Sequence, residues 1–205
     1  MLRAMDSPEV PAGKKQLTHG RIVDTAARVL RESGFAGVGV ADIMKRSGLT
    51  HGGFYAHFPS RDALLAEALE RAGNDSGTRL RRAVKAAQAD GISPLRALIE
   101  MYLSDRHLKS PGTGCPVAAL ASDMPRQSDA LRHAASARVR ALVANVQSVL
   151  PARRPPQEAA AIAAQLVGAL QIARALGDGA AGRRHLAQSR QFLLEQFDSP
   201  RPRGR

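Results

Sequence analysis

The stretch Val40 to Phe58, VADIMKRSGLTHGGFYAHF, gathers side chains suited to hydrogen bonding with a polyanion rather than to making or breaking bonds. His51, Tyr55 and His57 offer ring and hydroxyl donors, and Thr50 adds a hydroxyl. Lys45, Arg46 and Arg61 flank them with fixed positive charge. Such donors hold phosphate oxygens, and those at the start of a helix lying in a DNA groove reach base edges. Thr50 is placed to cap a short helix whose N-terminus itself attracts phosphate. Gly52 and Gly53 inside that helix each cost roughly 1 kcal/mol relative to Ala. The compensation expected is proximity, because bare backbone can approach a groove floor closely.

Those residues need a scaffold. Ser47-Gly48-Leu49-Thr50 reads as the tight turn of a helix-turn-helix over residues 40–58, with Gly48 supplying the left-handed conformation. Val40, Ile43 and Met44 line the inner side of the first piece, and Leu49, Phe54 and Phe58 that of the second. A two-turn helix is not stable alone. Two phenylalanines four residues apart can pin it, each burying roughly 1.5–3 kcal/mol of side chain. Phe35, Phe54, Tyr55 and Phe58 are four of the chain's seven aromatics, so large core pieces concentrate in this unit. Before it, Thr18 is expected to cap a helix whose apolar face is Ile22, Val23, Ala26, Ala27 and Leu30, with Gly34 ending it. After it, Ser60 is expected to cap a longer helix with Asp62 in its first turn and Leu64, Leu65, Ala68 and Leu69 inward.

Residues 18–65 resemble the DNA-binding domain of the TetR family of transcriptional regulators. The matching segments are RIVDTAARVLRESGF, DIMKRSGLTHGGFYAHF and PSRDALL, in register without a gap. The resemblance implies that Thr50, Gly53, Tyr55 and His57 occupy DNA-contacting positions. It places Arg61 where the family has a phosphate-contacting lysine, and Thr18 where the first helix touches the DNA backbone. The chain departs from the family at Val38 and Gly39, where Ser or Thr is usual; a hydroxyl contact is lost, although Gly39 still serves as an N-cap. The fold implied is all-α, an N-terminal three-helix helix-turn-helix domain followed by a C-terminal helical ligand-binding and dimerisation domain. The implied partners are a palindromic double-stranded DNA operator, a small-molecule effector that releases it, and a second copy in a homodimer. Repression is the family's usual mode, and no cofactor is expected.

The expected division is a flexible arm over 1–16, the DNA-binding domain over 17–77, the sensing and dimerising domain over 78–198, and a basic tail over 199–205. A helix over about 93–109 would carry Met101, Tyr102, Arg106 and His107 toward a ligand, with Met124 and Gln171 joining them. Arg106 or His107 suits an anionic or polar ligand. The helix over 156–176 is apolar nearly all round and must be covered on most sides. Leu166 and Leu170 with Phe192 of the last helix are therefore expected at the dimer interface. Cys115 follows a Gly-Thr-Gly loop and precedes Pro116 at a helix start, a setting that lowers a thiol's pKa. The GCPVAAL segment resembles loops of several family members, some of which sense electrophiles or oxidants through the cysteine. This makes thiol sensing an alternative to reversible ligand binding, beside the plainer reading of Cys115 as a small buried apolar group.

Composition bounds these readings without deciding them. The chain has 205 residues, a formal net charge of +12 and a single cysteine, so no internal disulfide forms and a reducing cytoplasm is the expected location. Residues 1–64 hold nine Lys/Arg against six Asp/Glu, a net of +3, so the case for DNA rests on the motif and not on total charge. A nonspecific nucleic-acid-binding protein remains a remote alternative. The apolar stretch Ala159 to Leu176 is interrupted by Gln165, Gln171 and Arg174, which argues against a membrane span. No nucleophile elbow, zinc-protease motif, phosphate-binding loop or dinucleotide fingerprint is present, and the six histidines lack metal-ligand spacing. Neither catalytic residues nor a metal site is expected.

Overall fold

The structure, a computed structural model, describes residues 13–198. These residues are helical with no strand among them: α1 Lys14–Ser33, α2 Val40–Arg46, α3 Arg61–Ala89, α4 Pro94–Tyr102, α5 Asp105–Lys109, α6 Pro116–Leu120, α7 Asp129–Gln147, α8 Glu158–Ala175 and α9 Ala180–Leu193. A single 3-10 segment, His51–Ala56, lies between α2 and α3. The tail over 199–205 and most of the expected arm lie outside the described residues.

Helix α1 starts earlier than expected. Gly13 occupies its N-cap position, so residues 14–16 are helix and not arm. Thr18 does not cap it; one turn inside, its hydroxyl donates to the Lys14 carbonyl at 2.9 Å. At the other end Gly34 takes a φ of 72°, and its N–H bonds the Leu30 carbonyl. Gly48 makes the helix-turn-helix corner with a φ of 69°, and the next amide, of Leu49, reaches back to the Met44 carbonyl at 2.9 Å. Helix α3 is capped by the Ser60 hydroxyl, which accepts from the Ala63 amide at 3.1 Å.

Two apolar cores share α3. Its first half packs Leu64, Leu65, Ala68 and Leu69 against Ile22, Ala26 and Leu30 of α1, Ile43 and Met44 of α2, and Phe54 and Phe58. Its second half contributes Leu80 and Val84 to a larger core with α4, α6, α7, α8 and α9. Residue 77 thus falls inside one uninterrupted helix. The N-terminal core is also closed from the C-terminal side, by Leu120, Met124, Leu131 and Ala135.

Three expectations are corrected by this packing. Met124 is buried in the N-terminal core and does not face a ligand cavity. Leu166 and Leu170 are fully buried within their own protomer, because α6, α7 and α9 pack on α8 and use most of its apolar circumference. The single helix expected over 93–109 breaks at Leu103. Ser104 starts a new one, its hydroxyl accepting from the His107 amide at 3.2 Å. The break follows from a side-chain cap that satisfies an amide the longer helix would otherwise have bonded.

Removal of the Met124 side chain tests the shared core. Met124→Ala is expected to lower unfolding free energy by about 2–3 kcal/mol, read by urea denaturation. A change within about 0.5 kcal/mol would show that the N-terminal core closes without it.

Candidate functional site

The segment His51–Ala56 is held by its inner side. Phe54 and Phe58 are buried and stack with ring centroids 5.6 Å apart. Phe58 also stacks on His19 of α1, centroids 4.4 Å apart. His19 in turn bonds Glu67 of α3 at 2.6 Å, tying first and third helices across the segment. On the outer side Thr50, His51 and Gly52 are exposed, together with Lys45 and Arg46 of α2. Tyr55 is 73% exposed, its ring meeting only the edge of Phe54. Arg46 pairs with Asp42 one turn back at 2.7 Å, an exposed pair worth little energetically.

Nothing among the described residues requires glycine at 52. A Cβ there would meet open space, and the residue is not in the left-handed region. At Gly53 a Cβ would make ordinary contact with Met44, at 3.6 Å. Packing among the described residues therefore requires neither glycine.

Four expected contact residues sit differently from the sequence reading. Thr50 stands at the N-cap position, but its side chain makes no capping bond. Thr18 is half-buried on α1, its hydroxyl engaged by its own helix. His57 is half-buried, with its ring against His19 and its Nδ1 buried without a partner. Burial lowers its pKa, and the neighbouring His19 and Lys15 add to the effect. Arg61 turns inward: Nε donates to the Val38 carbonyl at 3.0 Å and Nη2 to the Phe35 carbonyl. It thus ties down the α1–α2 connection, and the expected phosphate contact is not what its guanidinium makes here. A side chain at the start of a helix can turn to either side, and spacing alone does not say which.

A cavity of about 370 Å³ lies between α3, the α4–α5 break and the loop before α6. Met101, Tyr102, Arg106, His107 and Cys115, all expected at a ligand site, line it. Gln171 does not line it; Arg174, one turn further along α8, reaches toward this region instead and donates to the His107 carbonyl at 2.8 Å. Arg79 and Arg82 of α3 were not anticipated as lining residues, although charge beyond residue 64 was the signal for them. Cys115 is 4% exposed, and the buried Tyr102 hydroxyl lies beside its thiol, with no oxygen or nitrogen partner. A smaller apolar void of about 40 Å³ shares the Met101, Tyr102 and Cys115 walls.

His107 organises one wall. Its Nδ1 is 2.7 Å from the Tyr102 carbonyl, and its Nε2 accepts from the Cys115 amide at 3.0 Å. An accepting Nε2 leaves Nδ1 as the protonated nitrogen of a neutral ring. Burial pushes the ring down to about 4; the bond to Tyr102 opposes this, and the Arg174 and Arg79 charges add to it. The loop that carries Cys115 also meets the N-terminal domain. Arg31 at the end of α1 is 6% exposed, and its Nη1 lies 3.3 Å from the Gly114 carbonyl and 3.4 Å from that of Ala72.

Another opening, a groove of about 480 Å³ between α8 and α9, is lined by Gln165, Gly168, Ile172, His185, Gln188 and Phe192. Ile172, Leu176 and Phe192 are each half exposed there or beside it. Among the described residues no cluster of metal-ligating side chains occurs, and no helix is long and apolar enough to cross a membrane.

The lowered His107 pKa makes a pH prediction. Between the ordinary value of 6.5 and about 4, the unfolded chain binds a proton at His107 that the folded chain refuses. Stability therefore falls as pH drops through that window. In His107→Gln the difference from wild type should narrow across it, measured by urea unfolding at stepped pH. A difference that stays constant would mean that His107 titrates normally.

Known proteins place this geometry. Residues 22–68 match the family model described as bacterial regulatory proteins, tetR family. An HTH-type transcriptional regulator of Mycobacterium tuberculosis is 31% identical over 77% of this chain and 84% of its own length. The HTH-type transcriptional regulator BetI of Burkholderia cenocepacia is 25% identical over 82% of this chain and 87% of its own. Among solved structures, a TetR-family regulator from Cytophaga hutchinsonii superposes with a TM-score of 0.75 at 20% identity, over 92% of this chain and 98% of that one. The reduced form of E. coli NemR gives 0.73 at 20% identity, over 89% and 99%. With a helix-turn-helix face matched in sequence and a whole helical fold matched in space, the chain belongs to the TetR family of bacterial regulatory proteins, and is a DNA-binding transcriptional regulator and not an enzyme.

Proposed function

We propose that this regulator is a repressor acting in the cytoplasm as a homodimer, bound to a palindromic operator and released when a small molecule fills the cavity beside His107. One observation carries the reading: a large aromatic, Tyr55, stands in solvent at the tip of a segment whose other ring-bearing anchors are buried. Displaying that ring, and tolerating glycines that no internal contact requires, makes sense where a partner surface completes the packing. Lys45, Arg46, Thr50, His51 and the Gly52-Gly53 backbone complete a face suited to phosphates and base edges. The groove between α8 and α9, with Ile172, Leu176 and Phe192 on or beside it, supplies an apolar surface for a second copy. Two such faces about 34 Å apart would enter successive major grooves.

The route from cavity to DNA is short. The Gly114–Cys115 wall touches α1 through Arg31, and α3 runs from the recognition segment into the cavity wall. An effector that prefers one arrangement of this wall shifts the population of dimers away from the spacing one operator needs.

Gel shifts against DNA upstream of the chain's own gene, with scrambled competitor, test the reading. Wild type should prefer the palindromic site by a thousandfold or more, on the order typical of specific binders. Tyr55→Ala should weaken that binding at least about tenfold, one bidentate-contact equivalent, without changing sedimentation. Phe192→Glu should sediment as a monomer and lose operator binding. Equal affinity for site and scrambled DNA, varying only with salt, would instead indicate nonspecific binding.

A second reading is favoured by the position of Cys115 on the cavity wall. An electrophile entering the cavity can form a bond to the thiol sulfur, and the thiol proton then passes to the adduct or to solvent. N-ethylmaleimide should then abolish operator binding by wild type and spare Cys115→Ser. Equal loss in both proteins ends the thiol reading.

A further inference from the structure

The geometry points to an anionic effector with an apolar body, a carboxylate or a phosphate monoester, as the ligand of the cavity beside His107; this rests on the effector-sensing reading above. Arg79 and Arg82 of α3 and Arg106 of α5 all line this one space, and no Asp or Glu does so among the described residues. The Arg79 guanidinium is partly committed, donating to the Thr113 carbonyl. Those of Arg82 and Arg106 make no hydrogen bond or ion pair among the described residues. Three arginines line one opening with no acidic residue among its walls, so an anion entering it meets positive charge. Arginine's planar fork also matches carboxylate and phosphate oxygens in pairs.

The rest of the lining fixes the remainder of the molecule. Met101 and Ala83 offer an apolar surface, and Ser104, Ser110 and Thr113 add hydroxyls. At the inner wall the Tyr102 hydroxyl, on a side chain only 3% exposed, has no oxygen or nitrogen partner and faces the Cys115 thiol, a weak one. A buried hydroxyl with only a thiol for a partner is poorly satisfied, and a polar atom of a ligand would give it a stronger bond. His107 cannot supply a further charge: its two nitrogens are occupied by the Tyr102 carbonyl and the Cys115 amide, which hold it neutral. A cavity of about 370 Å³ accommodates a small organic acid, within the ~300–1,000 Å³ usual for ligand sites. A cationic ligand meets arginines and no carboxylate among the lining residues, and a neutral one leaves Arg82 and Arg106 unpaired.

The test uses the full chain with methyl-13C methionine. Met101 reports from the cavity wall, while Met44 and Met124, in the N-terminal core, serve as reference methyls. The probes are benzoate, octanoate and phenyl phosphate, against benzamide, octanamide and benzylammonium of matched size. The anions should shift the Met101 methyl saturably, and the neutral and cationic partners should bind at least tenfold more weakly. Arg82→Gln combined with Arg106→Gln changes only unpaired guanidiniums, so the fold is retained, and anion binding should fall at least tenfold. Benzamide or benzylammonium binding as tightly as benzoate, or undiminished anion binding in the double variant, would overturn the anionic assignment while leaving the cavity as a sensor. No shift of Met101 with any probe would remove the effector-sensing reading as well.

Discussion

The recognition segment cannot hold its own shape. Six residues of 3-10 helix, two of them glycine, have too few internal bonds to persist in water. Their geometry is imposed by Phe54 and Phe58, whose rings lie in a core built from α1, α2 and the first half of α3. His19, stacked on Phe58 and bonded to Glu67, adds a polar strut across the same joint. The outward display of Tyr55 is therefore a property of the whole N-terminal core. A displacement of α1 or α3 would therefore move that outward face.

That core is not self-contained. Leu120, Met124, Leu131 and Ala135 belong to the C-terminal half of the chain yet close the N-terminal core. Helix α3, 29 residues and about 44 Å long, passes from the recognition segment to the cavity without a break. Arg31 is a buried cation beside the Gly114 carbonyl, with Asp75 and Glu32 near enough to support its charge; burial still pulls its pKa down to about 10. A cation in that position ties the cavity loop to α1, because swinging the loop away removes a carbonyl that the guanidinium uses. The helix-turn-helix half and the C-terminal half thus share apolar surface, one helix and one buried charge.

The chain's charge is explained by this division. The excess of +12 is carried mostly beyond residue 64, away from the helix-turn-helix. Part of it is now located: Arg79, Arg82 and Arg106 at the cavity, and Arg174 on the backbone behind it. Pairing is mostly local elsewhere, as in Arg46 with Asp42 and Arg126 with Asp123, where the partners lie within one helical turn or a short connection. Arg82 and Arg106 at the cavity make no such ion pair among the described residues.

Much of this is legible in the sequence. Helical periods, the cap at Ser60, the left-handed glycines 34 and 48, the two phenylalanine anchors and the residue types of the reading face are local features, set by neighbours within a turn or two. Local physics also placed Tyr102, His107 and Cys115 together near one site, since they are close in the chain. Only the tertiary structure decided which way a face points. Leu166 and Leu170 turned inward because three other helices compete for the same apolar surface. Met124 joined the far domain's core, and Arg61 turned to backbone carbonyls. Arg79 and Arg82 met Arg106 across a space that no sequence spacing encodes. Period and capping depend on residues a few positions apart; burial partners depend on segments dozens of residues away, and only folding determines which of those segments meet.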